Sequence, residues 1–175
     1  MRWHDNELAL RAATPADAER LSRWWNDGAV MAHAGFPDGL GTTAEAVARQ
    51  LAGDSPRGRR LILEVNGNPV GEANYRTVAD STAEIGIKIC DASYQNRGKG
   101  TRFLRLLIRG LFDELGFRRI VLDTNLENAR AQHVYEKLGF KRTGVRTDAW
   151  RDQRGRLQTA VDFELLPEGF VQQEM

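Results

Sequence analysis

Apolar positions in the first third of the chain predict one strand and two helices. Residues 8–12 place leucine or alanine at every second position, the spacing of a strand with one buried face. Thr14 followed by proline is typical of a helix start, and the predicted helix runs to about Asn26. A loop with four glycines, residues 28–41, separates it from a second predicted helix over residues 43–53.

The middle of the chain predicts an antiparallel meander of three strands. The first two, over residues 61–65 and 70–78, flank Asn66-Gly67, a pair favoured in tight hairpin turns. The third covers residues 83–90, where isoleucines occupy alternate positions. Neighbours along the chain are therefore expected to be neighbours in the sheet.

The pattern of the C-terminal half is that of a mixed sheet with helical connections. After a helix that ends at Gly116, residues 119–125 predict a buried strand, parallel to the strand before that helix. A further helix over residues 128–139 precedes a hairpin of two strands, residues 141–149 and 158–165. The expected fold is α/β, a mixed twisted sheet of about seven strands flanked by about four helices.

Composition narrows the class of protein. A length of 175 residues predicts a single domain over residues 1–175, and 25 Lys and Arg against 24 Asp and Glu leave a net charge of +1. We therefore expect no nucleic-acid partner and no membrane partner. Cys90 is the single cysteine, and the sequence shows no charged segment followed by an apolar one at its start and no apolar run of bilayer-spanning length, so we expect neither a leader nor a membrane span. A cytoplasmic protein without a metal cofactor is the expectation.

One glycine-rich segment carries most of the candidate chemistry. It lies between a predicted strand and a predicted helix and reads Gln95-Asn96-Arg97-Gly98-Lys99-Gly100-Thr101. A helix start offers unpaired backbone N–H groups and the positive end of the helix dipole, and glycines allow a bulky anion to approach. Arg97 and Lys99 would add positive charge. The segment therefore predicts a cradle for a pyrophosphate.

Two common phosphate-binding motifs do not fit this segment. A P-loop requires glycine where Ser93 stands, and serine or threonine where Gly100 stands. A dinucleotide fingerprint requires a third glycine at the position of Phe103, where a large side chain would hold helix and strand apart.

A second motif lies downstream, over residues 128–140. Asn128 and Tyr135 are seven residues apart, about two helical turns, so both side chains lie on one face of the predicted helix. Purely structural roles are open for each residue: Asn128 can cap the helix, Tyr135 can pack in the core, and Gly139 can end the helix.

The two motifs together resemble those of the GNAT superfamily of acyl-coenzyme A N-acyltransferases. The first matches the pattern Q/R-x-x-G-x-G/A, and the second reads N-x-x-A-x-x-x-Y-E-K-x-G-F. The resemblance covers residues 83–140, with a C-terminal hairpin over 141–166 and a short tail over 167–175. It implies a GNAT fold with splayed central parallel strands, acetyl-CoA as co-substrate, and a homodimer.

The resemblance also implies roles for individual residues. The glycine-rich segment would hold the pyrophosphate of the coenzyme, and Asn128 would touch its pantetheine arm. Backbone contacts to that arm would come from the strand before the cradle, from Ile87, Lys88, Ile89 and Cys90. Tyr135 would stand near the sulfur and protonate the thiolate that leaves when an amine attacks a thioester.

The attacking amine must lose a proton, because an alkyl ammonium has a reference pKa of about 10.4. Glu84, at the start of one central strand, and Asp123, in the other, are the two candidate bases. Either could instead be a solvated charge at a strand end. Cys90 could suggest an acyl-cysteine, but its neighbours in sequence include no evident base, so we expect a buried bystander.

Aromatic residues of the first helix and the following loop are candidates for an acceptor site. Trp24 and Trp25 point in different directions on a helix, so one is expected in the core. The other, with His33 and Phe36, would line the mouth of the substrate site.

These observations predict direct transfer of the acetyl group from acetyl-CoA to a primary amine of a peptide N-terminus or small metabolite. The order of elements most resembles the branch of ribosomal-protein N-terminal, polyamine and aminoglycoside acetyltransferases. The alternative is a domain that binds acyl-CoA without turnover, as a sensor or scaffold.

Overall fold

The computed structural model describes residues 1–173 and contains a mixed sheet of eight strands. The strands are β1 (Arg2–Asp5), β2 (Leu8–Ala12), β3 (Gly58–Val65), β4 (Asn68–Ala79), β5 (Thr82–Ile89), β6 (Arg119–Asn125), β7 (Lys141–Arg151) and β8 (Leu157–Leu165). The α-helices are α1 (Ala18–Trp25), α2 (Gly28–Met31), α3 (Ala44–Ala52), α4 (Lys99–Arg109) and α5 (Ala129–Leu138). The strand order is β1-β2-β3-β4-β5-β6-β8-β7, and the predicted α/β class is confirmed.

The structure has one strand and one α-helix more than the sequence predicts. Strand β1 pairs antiparallel with β2, but its four residues contain a single buried apolar side chain, Trp3, too little for a visible alternation. Helix α2 lies inside the predicted glycine-rich loop and has only four residues, begun by Asp27, whose side chain accepts from the Ala29 N–H. An element of four residues is too short to show a periodic pattern of apolar positions.

The sheet is covered on both faces, and alternate residues of β3 show the division. Leu61 and Leu63 belong to the larger core, which α4 fills with fully buried side chains such as Phe103 and Leu107. Ile62, between the two leucines, belongs to the smaller core under α1, α2 and α3. Each face therefore has its own helical layer.

The central parallel strands separate as predicted. Strands β5 and β6 pair with each other only over Thr82–Glu84 and 119–121. Beyond these residues β5 continues to Ile89 and β6 to Asn125, and the two strands no longer share hydrogen bonds. Strand β8 takes the other edge of β6, and β4 takes the other edge of β5. A wedge-shaped opening results, and one backbone edge of β5 faces it.

The tip of the β7–β8 hairpin is tied to the loop after α2. Gln153 donates from its backbone N–H to the Gly35 carbonyl (2.8 Å) and from its amide to the Gly39 carbonyl (2.8 Å). An ion pair joins Arg154 to Asp38. We call residues 33–39 together with 150–154 the arch, because the two segments meet above the opening between the central strands.

Residues 167–169 form a single 3-10 turn, and the last two residues of the predicted tail, 174 and 175, lie outside the described residues. Among residues 1–173, no helix combines the length and the apolar character needed to span a bilayer.

Candidate active site

Two cavities meet where β5 and β6 separate. The α4–α5 cleft has a volume of about 550 Å³ and lies between β5, the start of α4 and the exposed side of α5. The arch cavity, about 420 Å³, lies between the central strands and the arch. Five residues line both of them: His33, Ile87, Lys88, Asn128 and Tyr135. The two cavities together form a passage from one layer of helices to the other.

The start of α4 has the geometry of an anion site. Gly98 occupies the N-cap with φ +72°, and Asn96 before it has φ +62°, so the backbone curls twice ahead of the helix. No side chain caps this helix, which leaves its first N–H groups to water or to a ligand. A Cβ added at Gly100 would meet only Ile89 Cδ1, at 3.7 Å. Packing of the chain therefore does not require glycine at position 100.

Neither of the two cations in the predicted cradle lines the cleft. Gln95, Asn96, Gly98, Gly100 and Thr101 line it, whereas Arg97 and Lys99 do not. Gln95 also ties the segment to β5, because its amide donates to the Ile89 carbonyl (2.9 Å).

Lys99 and Arg102 turn instead towards Glu7, in the turn between β1 and β2. Arg102 bonds both Glu7 oxygens (2.5 and 3.3 Å), and Lys99 Nζ lies 3.5 Å from Oε1. Hydrogen bonds from Arg102 lower the pKa of Glu7 to about 2. The expectation that Lys99 charges the cradle is therefore replaced by a bracing role at the start of α4.

Of the four predicted backbone contacts on β5, three line the cleft: Ile87, Lys88 and Ile89. Cys90 does not, because its N–H donates to the Val70 carbonyl (2.9 Å) on the neighbouring chain segment. Burial raises the pKa of its thiol to about 12, with a further contribution from the charge of Glu72. Cys90 is thus buried, and its N–H is engaged by Val70 and does not face the cleft.

Tyr135 stands at the junction of the two cavities. Its ring packs against Phe140 and Phe163, with centroids 5.7 and 5.6 Å away. Burial raises the pKa of its hydroxyl to about 12, and the negative charge of Asp123 acts in the same direction. At neutral pH the phenol therefore keeps its proton and can give it to a stronger base.

Asn128 and Gly139 have the structural roles that the sequence left open. The Asn128 side chain caps α5 by accepting from the Ala131 N–H (3.2 Å), and Gly139 ends the helix with φ +104°. The capping geometry also holds Asn128 in the wall of both cavities, so the structural role and a ligand contact are compatible.

The two candidate bases are separated by the fold. Asp123 lines the arch cavity and accepts from Arg146 Nη2 (2.8 Å), and the same guanidinium also bonds both oxygens of Asp162. Glu84 lines neither cavity and accepts instead from Arg76 Nε (2.8 Å). The structure therefore brings Asp123 to the site and leaves Glu84 on the surface of the sheet.

Of the four residues predicted to line the acceptor site or pack behind it, only one lines a cavity. His33 lines both cavities, but Trp24 and Phe36 pack beside the smaller core and Trp25 is buried in it, and none of these three lines either cavity. Besides Tyr135, the arch cavity is lined by Trp150 of β7, whose ring lies against Gly35: a Cβ there would be 2.4 Å from the ring. Trp150 was missed because nothing in the sequence predicts contact between the hairpin and the α2 loop.

A buried carboxylate in the arch cavity was also missed. Glu72 is 2% exposed and accepts from Trp25 Nε1 (2.7 Å), Arg60 Nη1 (3.1 Å) and Lys88 Nζ (3.4 Å). Glu72 and Lys88 are directly paired across β4 and β5, so knowledge of the strand register would have placed them together. With its oxygens engaged by these donors, Glu72 is poorly placed to take a further proton.

Within residues 1–173, no group of three or more His, Cys, Asp or Glu side chains is placed to hold a metal ion. The site combines an uncapped, glycine-rich helix start, an open strand edge, a protonated phenol and a polar second cavity.

Comparisons with known proteins agree with this geometry. Aminoglycoside N(6')-acetyltransferase type 1 of Klebsiella pneumoniae is 27% identical over 91% of this chain and 87% of its own length. Spermidine N(1)-acetyltransferase of Escherichia coli K12 is 33% identical over 49% of this chain and 47% of its own length.

Solved structures show the same fold. The spermidine N-acetyltransferase of Vibrio cholerae, crystallised with CoA and spermine, superposes with a TM-score of 0.82 at 22% identity, over 94% of this chain and 98% of that chain. The family model of the acetyltransferase (GNAT) domain matches residues 7–141, which include both motifs and most of the sheet. The resemblance inferred from the two motifs is thus confirmed: the chain belongs to the GNAT acetyltransferase family and is an acyltransferase.

Proposed function

We propose that the protein transfers the acetyl group of acetyl-CoA directly to the primary amine of a small metabolite. The observation that carries this proposal is the junction of two cavities at one phenol, Tyr135. Amine acceptors are named for the aminoglycoside and spermidine relatives, which supports an amine here. The arch favours a small acceptor over the other predicted one, a peptide N-terminus, because it closes over the cavity in which an extended chain would lie.

The α4–α5 cleft fits acetyl-CoA. The first N–H groups of α4, with Gly98 and Gly100, would hold the pyrophosphate. The open edge of β5 at Ile87–Ile89 would pair with the amides of the pantetheine arm, and Asn128 would contact the same arm. When bound there, the coenzyme supplies an acetyl group activated as a thioester.

Two side chains of the site move the protons of the reaction. Asp123, in the wall of the arch cavity, takes the proton that the attacking amine loses, directly or through a water molecule. After the amine nitrogen has added to the thioester carbon, the tetrahedral adduct collapses, the carbon–sulfur bond breaks, and Tyr135 gives its proton to the leaving sulfur. The products are an amide and a thiol, and proton exchange with solvent restores both side chains.

Substitution of the phenol tests the assignment. For Tyr135→Phe we expect a fall in kcat of roughly a hundredfold or more, the usual range for loss of a general acid, with unchanged affinity for acetyl-CoA by calorimetry. Tyr75→Phe is a matched control, because the Tyr75 hydroxyl donates to the Pro56 carbonyl (3.3 Å) and neither residue lines either cavity. Unchanged turnover in Tyr135→Phe would show that another group protonates the sulfur.

The same assay separates the enzyme from the sensor or scaffold. Thiol release from acetyl-CoA is followed with a panel of primary amines and with no acceptor. Release that depends on an amine supports the enzyme. Tight binding of acetyl-CoA without release from any member of the panel would favour a domain that binds the coenzyme without turnover.

Several expectations stay predictions from the sequence. They are a single domain, a homodimer, a cytoplasmic location, and the absence of nucleic-acid and membrane partners. Light scattering coupled to size-exclusion chromatography measures the oligomeric state directly.

A further inference from the structure

The arch cavity has a positive wall on its β3–β5 side. Glu72 is buried, and two cations, Arg60 and Lys88, both bond its carboxylate. One negative charge thus stands against two positive ones, and the excess is +1. Both cations are partly exposed, with 29% and 26% of their side chains accessible, and both line the cavity. This wall can accept an anionic group of a ligand.

The β6 side of the same cavity has the opposite excess. Asp123 lines the cavity and shares Arg146 with Asp162, so two carboxylates stand against one guanidinium. The charge of Asp123 also acts on Tyr135, which places this negative end beside the phenol. A cationic or hydrogen-bond-donating group of a ligand is favoured there.

The geometry points to an acceptor that carries an anionic group, most simply a carboxylate, in addition to its amine. The amine would lie near Asp123 and Tyr135, and the carboxylate would bind Arg60 and Lys88. This inference rests on the proposed acetyl transfer and specifies its acceptor as a small amino acid or a related amino carboxylate. Polyamines and aminoglycosides, the substrates named for the relatives, would place additional ammonium groups against the positive wall.

Matched acceptors test the inference. Glycine, β-alanine and 4-aminobutyrate are each compared with the corresponding amide, which keeps the amine and the length but loses the charge, and spermidine is the polycationic comparison. We expect kcat/KM for the best carboxylate to exceed that for its amide by about tenfold or more, mainly through KM, as is usual for a charge-assisted hydrogen bond.

Variants of the positive wall assign the preference to these residues. Arg60 lines only the arch cavity, and we expect Arg60→Gln to reduce the carboxylate preference, measured as the ratio of kcat/KM for the carboxylate to kcat/KM for its amide, to within about threefold. Glu72→Gln removes the counter-charge and can still accept from Trp25, so the preference should increase rather than fall. Arg76→Gln is the matched control, because Arg76 lies outside both cavities in an ion pair with Glu84.

The outcomes separate this inference from the proposed function. Amine-dependent thiol release that is equal for carboxylates and amides, or greatest with spermidine, would overturn the charged acceptor and leave acetyl transfer intact. Failure of every acceptor to release thiol would overturn both. A carboxylate preference that Arg60→Gln leaves unchanged would overturn the assignment to this wall, and opposite shifts in Arg60→Gln and Glu72→Gln support it.

Discussion

At the scale of single residues, Gly100 is a position where packing of the fold does not require glycine but the proposed ligand would. A side chain at this position has room within the chain, since its Cβ would meet only Ile89 at 3.7 Å. Gly100 also lies in the first turn of α4, where alanine is the better helix former. Packing of the fold therefore does not explain glycine here, whereas the proposed approach of the pyrophosphate to the backbone would.

For Gly100→Ala we expect weaker binding of acetyl-CoA, by about tenfold or more, because the methyl group holds the pyrophosphate away from the N–H groups. The melting temperature should be unchanged or slightly higher. Gly169→Ala is a suitable control, because its Cβ would also make only ordinary contacts, the nearest at 3.6 Å, in a turn that does not line the cleft. Full affinity in Gly100→Ala would contradict the pyrophosphate assignment.

Residues within a helix could be found from the sequence, and residues that meet across strands could not. Asn128 and Tyr135 were identified because a spacing of seven fixes their shared helix face without any tertiary knowledge. Glu72 and Arg60 lie in strands whose register decides which residues meet, and a shift of one residue would reverse their faces. Trp150 depends on a contact between segments more than a hundred residues apart.

At the scale of elements, the start of α4 is held by the turn between β1 and β2. Glu7 in that turn bonds Lys99 and Arg102, and both cations lie in the first turns of the helix. The sequence predicted neither β1 nor this connection, because β1 has one apolar side chain and ion pairs leave no periodic pattern. The fold thereby links the helix N-terminus proposed to bind the pyrophosphate to the edge of the sheet.

The Glu7 connection predicts a specific pH dependence of stability. Because the pKa of Glu7 is lowered from 4.5 to about 2 in the folded protein, its contribution is complete above about pH 4.5 and is lost as the pH falls towards 2. Glu7→Gln should therefore unfold at lower urea concentration than the wild type at pH 7, with a smaller difference at pH 3. Glu45→Gln, at an exposed position at the start of α3, is the control. An equal difference at both pH values would contradict this.

At the scale of the whole molecule, most of the architecture followed from local patterns. Within residues 1–173, seven of the eight strands and four of the five α-helices could be placed from apolar spacing and turn residues. The splay of β5 and β6 came from the family resemblance, because no local pattern encodes where two parallel strands stop pairing. The arch could not be predicted from local patterns either, because its contacts join distant parts of the chain.

The passage through the sheet has a consequence for the order in which ligands bind and leave. Acetyl-CoA would enter from the layer of α4 and α5 and the acceptor from the layer of α1 to α3, so neither obstructs the other. Either can bind first, and the acetylated product can depart while CoA is still in place. Double-reciprocal plots of initial rate against acetyl-CoA, at several acceptor concentrations, should give intersecting lines. Parallel lines would require an acetylated protein intermediate, for which the buried thiol of Cys90 is unsuited.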